Sequence, residues 1–268
     1  MKNTKLLICF NLKRVYLQGY NFYNIITAML SKSYKIKFYE VDCQNRLKET
    51  VLLNFMQDIA AEDAENLGFG YSAIKSGNIG WFLTKYHIKL YKPLVNDGCI
   101  KIQSESKGLL KINFIRDFDI FNNNDEKIGE ATSSWILANL STGGVLKAED
   151  VFPNQFEPVD RNILRSTFPK IPTPAVNTCT KEFTASYYDT DINSHVNNAI
   201  YIGWANEALP FDILQNTRIE ELEIQYKQQV KYGEKVIVCA EETSPYNYLI
   251  SLNKEDGTTV CLIREKRI

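Results

Sequence analysis

Histidine is scarce: His87 and His195 are the only two in 268 residues. Chemistry that depends on an imidazole therefore has few places to be. A basic surplus is missing as well, because 31 Lys+Arg stand against 32 Asp+Glu and the formal net charge is -1. Nothing is left over to neutralise a phosphate backbone, which argues against general nucleic-acid binding. The six cysteines, at positions 9, 43, 99, 179, 239 and 261, form no C-x-x-C pair and no Cys/His cluster. That pattern excludes a structural zinc site and predicts buried apolar thiols in a reducing cytosol. No apolar run reaches the roughly 18 to 20 residues of a membrane-spanning helix. Acidic residues are absent from the first 28, which carry Lys2, Lys5, Lys13 and Arg14.

That acid-poor leader, taken as residues 1–32, is a poor secretory signal. Its apolar run, Leu6 to Phe10, is short, and Asn11, Lys13 and Arg14 follow at once. Three readings stand: a start at Met29, a leader that is simply disordered, or a targeting extension of the organelle-transit kind. What is present in quantity is apolar surface. Hydrophobic residues make up 44% and aromatics 12%, enough to build a core, so disorder is excluded and one large or two modest domains are expected.

Five of the eight prolines, Pro153, Pro158, Pro169, Pro172 and Pro174, crowd into one stretch. Proline fixes φ and removes a donor, so residues 151–179 read as an extended connector between folded units at 33–150 and 180–268. The two units match each other twice, in the same order. Tyr39-Glu40-Val41-Asp42 aligns with Tyr188-Asp189-Thr190-Asp191, and Tyr91-Lys92 through Val95 to Gly98 aligns with Tyr226-Lys227 through Val230 to Gly233. Each first match ends an alternating stretch (Tyr34, Ile36, Phe38; Phe183, Ala185, Tyr187) and precedes a helical stripe: Leu47, Val51, Phe55, Ile59 in one unit, and Val196, Ile200, Gly203, Trp204 in the other, the latter stopping at Pro210. Strand-like segments with turn signals at 122–125, 141–144 and Asp256-Gly257 follow each second match. Each unit thus reads as one long helix beside a curled antiparallel sheet, an α+β layer arrangement.

In the second unit the strand-to-helix turn runs Asp191-Ile192-Asn193-Ser194-His195-Val196-Asn197-Asn198. A carboxylate, an amide and one of the two imidazoles alternate there, so Asp191, Asn193 and His195 can face one point, with the N-terminus of the following helix aimed at a developing oxyanion. Asp and Asn ahead of a helix are also ordinary caps. The repeat favours chemistry over capping: the first unit keeps Asp42 but has Gln44 and Arg46 at the matching positions, so the fold does not require the amide–imidazole pair.

With Tyr201, Ile202 and Trp204 after it, this turn resembles the signature of the acyl-acyl carrier protein (acyl-ACP) thioesterases, a family of plastids and bacteria built from two fused hotdog domains. Trp81 to Ile88, Arg116-Asp117-Phe118-Asp119-Ile120 and Ala131-x-x-x-Trp135 resemble it too, so the likeness covers about 34 to 268. The resemblance implies hydrolysis of the thioester between a fatty acyl chain and the phosphopantetheine arm of its carrier protein, without metal or organic cofactor. It implies Asp191, Asn193 and His195 as catalytic. Asp191 would orient or deprotonate water, or attack directly to form an anhydride; Asn193 and the helix N-terminus would hold the oxyanion; His195 would polarise the carbonyl or protonate the departing sulfur. Plant members place a Glu-Cys pair where this chain has Gln229 and Val230. A cysteine nucleophile is thereby excluded at that position, and Gln229 could orient water but not act as a base.

Trp81, Asn197 and Trp204 are candidate substrate contacts, although core packing is the plainer role for the tryptophans. His87, on an alternating strand, reads as structural or superficial, and Glu220-Glu221-x-Glu223 as a solvated face. An acyl carrier protein is the implied partner, homodimerisation is left open, and the expected location is cytoplasmic, with plastid-type targeting by the leader as the alternative. Acyl-coenzyme A hydrolysis and non-catalytic acyl binding are the rival functions.

Overall fold

The computed structural model describes residues 29–153, 156 and 168–268. The expectations about the leader fall on residues 1–28, outside the described residues.

In the first unit, β1 (Leu30–Lys35) leads through a 3-10 turn at Phe38–Glu40 into α1 (Glu49–Asn66) and α2 (Tyr71–Ile74). Four strands follow: β2 (Ile79–Leu90), β3 (Cys99–Leu110), β4 (Asn113–Phe121) and β5 (Lys127–Asn139). Short β6 (Val145–Leu146) and α3 (Ala148–Val151) close the unit. The second unit repeats the order with β7 (Cys179–Thr184), a 3-10 turn at Tyr187–Asp189, α4 (Asn198–Glu207), α5 (Phe211–Asn216), β8 (Ile219–Tyr226), β9 (Lys235–Ser244), β10 (Asn247–Lys254) and β11 (Thr259–Arg267). The units begin slightly earlier than the proline pattern suggests, at Leu30 and Cys179.

All strand pairs are antiparallel, and the sheet runs β1-β3-β4-β5-β2-β8-β11-β10-β9-β7, with β6 on β5. The order is symmetric about β2 and β8, whose pairing from Lys85↔Gln225 to Lys89↔Glu221 joins the halves. This is the double-hotdog arrangement that the resemblance implies, closed into one sheet. Both helices lie on the same face of it. Tyr86, Ile88, Leu222 and Ile224 from the central strands pack with Leu52, Leu53, Met56, Ile59, Ile202 and Ala205 in one core shared by the two halves.

The second helical stripe stops as expected: α4 ends at Glu207, and Pro210, unable to continue a helix, caps the separate α5. Two expectations change. The glutamates at 220–223 are not a solvated face. They lie on the outer side of the seam, where Glu223 is buried against His87 and bonds Arg264 at 2.6 Å, while Glu221 meets His87 Nε2 at 2.6 Å. Strand alternation alone could not show this, because it takes a second layer to bury an outer face; here Phe168, Pro169 and Ile171 of the connector cross it, and Arg264 Nη2 donates to the Lys170 carbonyl. Among the described cysteines, all free, only Cys261 is buried. Cys43 is exposed in a surface turn, and Cys99, Cys179 and Cys239 sit half-buried on strands toward the sheet edges. No described residues form a cluster of three or more metal-binding side chains, and no described helix is long and apolar enough to cross a membrane.

Candidate active site

The turn before α4 is a built object. Asp191 N–H donates to the His195 carbonyl at 2.8 Å, and Ser194 takes φ of 61° to let the chain double back. Val196 N–H then donates to the Val230 carbonyl at 2.8 Å, and His195 bridges Lys231. The His195 backbone is thus fixed between its own turn and the strand-like segment after β8. The first half builds the same turn: Asp42 N–H donates to the Arg46 carbonyl, and Asn45, the counterpart of Ser194, has φ of 58°. The aspartate serves the turn in both. Asp42 Oδ1 accepts from the N–H groups of Gln44 and Arg46, and Asp191 Oδ1 accepts from Asn193 N–H at 2.8 Å. Asp191 Oδ2 has only a 3.5 Å contact with the Asn193 amide, so one oxygen of this exposed carboxylate stays available.

Partial burial is the main influence on His195 and holds its pKa below the ordinary 6.5, over the opposing pull of Asp191; Lys231 lowers it further. The ring is neutral at pH 7. Its Nδ1 is buried without a hydrogen-bond partner, which leaves Nε2 as the accessible nitrogen. The other carboxylate acting on it, Glu234, is committed: it accepts Lys231 N–H at 2.7 Å and pairs with Lys254 at 2.9 Å. Asp191 therefore supplies the uncommitted negative charge beside His195.

Beside this turn opens a cavity of about 580 Å³, nearly all of it in the first half. On one side lie Gln57 and the small residues Ala60, Ala61 and Ala64 of α1, which recur at helical spacing. On the other lie Trp81, Phe82, Phe114, Arg116 and Trp135, and the far end is aromatic, with Phe69 edge-on to Phe114 and to Trp81. The second half contributes Ile192 and Asn193 to the lining. A pocket of this size with an apolar lining and few polar groups suits a hydrocarbon chain.

The equivalent place in the second half is plugged by polar side chains. Arg46, the counterpart of His195, reaches across to donate to the Thr217 and Leu214 carbonyls at 2.6 and 2.8 Å. Arg267 donates to Thr217 Oγ1 at 2.9 Å and pairs with Glu265 at 2.8 Å, and burial pushes the Glu265 carboxyl up.

The sequence-derived candidates separate accordingly. Asn193 lines the cavity, and Asp191 and His195 share its turn. Trp81 lines the cavity too, with its Nε1 donating to the Phe69 carbonyl at 2.8 Å. Asn197 and Trp204 are structural: Asn197 Oδ1 accepts Ala199 N–H as the α4 cap, and Trp204 stacks on Phe183 at 5.5 Å in the core. The helix N-terminus is also more occupied than expected, because Ala199 N–H is taken by that cap and Ile200 N–H by the Asn197 carbonyl. Gln229 is exposed, outside the cavity lining, next to Val230. Sequence reasoning missed the alanine face of α1 and the aromatic end wall; the Ala60-Ala61-x-x-Ala64 spacing was the available signal, but small residues alone do not say whether a gap is filled.

Residues 28–154 match the family model of the acyl-ACP thioesterase N-terminal domain, and residues 174–266 match that of the C-terminal domain. Oleoyl-acyl carrier protein thioesterase 2, chloroplastic, of Arabidopsis thaliana is 26% identical over 255 residues, covering 87% of this chain and 69% of that protein. The oleoyl-acyl carrier protein thioesterase, chloroplastic, of Coriandrum sativum is 26% identical over 225 residues, covering 76% and 61%. The chain thus spans 61 to 69% of the length of these relatives. Among solved structures, an acyl-ACP thioesterase of Bacteroides thetaiotaomicron superposes with a TM-score of 0.77 at 23% identity, over 90% of this chain and 98% of that one. The 12:0-ACP thioesterase of Umbellularia californica gives 0.77 at 16% identity, over 90% and 97%. At these identities the likeness is one of fold.

Proposed function

The chain belongs to the acyl-ACP thioesterase family, and we propose that it hydrolyses fatty acyl thioesters of acyl carrier protein, releasing the free fatty acid and so ending chain growth. The observation that carries this reading is the placement of an apolar cavity of about 580 Å³ against a turn holding a free carboxylate oxygen, an amide and a neutral imidazole. The acyl chain lies in the first half, between α1 and the sheet, and its thioester reaches the rim at Asn193. Asp191 Oδ2 orients a water and takes its proton as the water oxygen attacks the carbonyl carbon. The carbonyl electrons move onto oxygen, where the Asn193 amide and the neutral His195 N–H donate to the charge. When the intermediate collapses, the C–S bond breaks and the proton passes to the departing thiolate, giving a carboxylic acid and the free pantetheine thiol.

The test offers the purified chain a panel of acyl-carrier and acyl-coenzyme A thioesters of different lengths and follows thiol release. Preferential turnover of carrier thioesters is the expected result. Preference for coenzyme A would reassign the carrier, and a raised melting temperature without thiol release would make the protein an acyl-binding one.

Three further results are expected from the same assay. Ala64→Leu places a branched side chain in the α1 wall of the cavity, so the acyl length with the highest kcat/KM shifts to shorter chains; an unchanged length profile would remove the cavity from acyl binding. The acid limb of the wild-type kcat/KM profile, which reports groups of the free enzyme, falls below the ordinary imidazole value of 6.5, as burial of His195 requires. Gln229→Glu adds a carboxylate two residues from Lys231, which faces His195, and negative charge favours the imidazolium. The limb should therefore move to higher pH, and an unmoved limb would show that position 229 does not act on the imidazole.

A further inference from the structure

The Asp-Asn-His turn belongs wholly to the second half, yet the donors it offers an oxyanion are few. Of the first three N–H groups of α4, those of Ala199 and Ile200 already have acceptors. Across the cavity, the Gln57 amide nitrogen is buried, has no hydrogen-bond partner, and belongs to a residue that lines the same space as Asn193. A buried amide donor left unpaired is costly, on the order of 1 to 3 kcal/mol, so its place beside Ala60 and Ala61 in the cavity wall asks for an acceptor that arrives with the substrate.

The helices place Gln57 at the reacting end of the cavity. α1 and α4 run antiparallel: Asn206 reaches Glu49 at 3.4 Å, and Gly203 lies against Thr50. Seven residues make about two turns of helix and return to the same face. Seven residues on from Thr50 is Gln57, and five back from Gly203 is Asn198, the first residue of α4 and three after His195. Gln57 therefore faces the start of α4, on the side of α1 that meets the second helix.

The repeat supplies an internal control. Gln57 stands nine residues after the α1 N-cap, and Asn206 stands nine after that of α4. By the same symmetry Arg46 corresponds to His195. In the plugged place Asn206 contacts Glu49 and Arg267, and Arg46 spends its guanidinium on two carbonyls and Asp42. In the open place the matching pair, Gln57 and His195, each keep a buried nitrogen without a partner.

From this contrast we propose that Gln57, in the half without the Asp-Asn-His motif, is a catalytic residue that donates its side-chain N–H to the thioester carbonyl oxygen as negative charge develops there. The active site is then shared between the two halves. This rests on the thioesterase reading above. The test measures thiol release by the full chain on its best thioester from the panel, for wild type, Gln57→Leu and Asn206→Leu, with melting temperatures alongside. Loss of one oxyanion donor lowers kcat by about 10²- to 10³-fold, so Gln57→Leu should show that loss with KM and melting temperature held. Asn206→Leu should keep its kcat and melt earlier. Full kcat in Gln57→Leu, or a loss of kcat matched by a fall in melting temperature or a rise in KM alone, overturns the proposal and leaves the thioesterase reading intact. A wild type inert to every thioester overturns that reading, and the role of Gln57 with it.

Discussion

His195→Ala is expected to lower kcat by about 10²- to 10⁴-fold, the usual contribution of a positioned proton-transfer or polarising group. The structural cost should be small, because what holds the turn is backbone: Asp191 N–H to the His195 carbonyl and Val196 N–H to the Val230 carbonyl both survive the change. Asp191→Asn is the companion variant. Asparagine keeps an oxygen to accept Asn193 N–H, so the turn stays capped, while the charge that positions and deprotonates water is lost. Its kcat should fall within the same range, measured as thiol release under saturating thioester. Full turnover in both variants would remove this turn from the chemistry. A loss of activity accompanied by unfolding would instead show that the aspartate, like Asp42 in the first half, serves only the backbone.

Asp63→Leu should cause the largest loss of stability, about 3 to 5 kcal/mol, as is usual when one partner of a buried ion pair is removed. Asp63 on α1 is 3% exposed and Arg116 on β4 is 2% exposed. Arg116 Nη1 donates both to Asp63 and, at 2.8 Å, to Ser104 Oγ. Burial outweighs the guanidinium and pushes the Asp63 carboxyl up. The pair has a mechanical reason to exist. Alanines along α1 leave a cavity where side chains would otherwise interdigitate, so the helix lacks part of its apolar grip on the sheet, and the Asp63–Arg116 bridge fastens it there. With leucine at 63, a buried guanidinium loses its counter-charge. Urea denaturation of Asp63→Leu should show the midpoint falling, and the double variant Asp63→Leu with Arg116→Met should recover much of it, because replacing both charges removes the desolvation problem. An unshifted midpoint in the single variant would mean that the bridge does not fasten α1.

Much of the fold was legible because its signals are local. Alternation through Tyr34, Ile36 and Phe38 and through Phe183, Ala185 and Tyr187, the stripes at Leu47 to Ile59 and Val196 to Trp204, and the Asp256-Gly257 turn, where Gly257 takes φ of 84°, each depend on a few neighbouring residues. Repetition doubled those signals, since Asp42 and Asp191 announce the same turn. The seam was not legible. Glu221 and Glu223 read as solvated because period-two alternation tells two faces apart without telling what covers the second one, and the cover comes from Phe168 to Ile171, more than fifty residues earlier in the chain.

The site divides along the same line. Its motif could be read directly, because Asp191, Asn193 and His195 alternate within five residues and the first repeat shows what the turn looks like without the amide–imidazole pair. Asn197 and Trp204 belong to the same run of sequence, yet one caps α4 and the other packs on Phe183, since rotation about a helix separates neighbours by function.

The sequence by itself determined the two repeats, the α+β character of each, and the half that carries the Asp-Asn-His turn, because those follow from spacing along the chain. Only the tertiary structure decided that the cavity lies in the opposite half, that the equivalent place in the second half is plugged by Arg46, Thr217 and Arg267, and that Gln57 lines the same space as Asn193. Those facts depend on the pairing of β2 with β8 and the antiparallel packing of α1 on α4, contacts between residues more than a hundred positions apart, which no local pattern encodes.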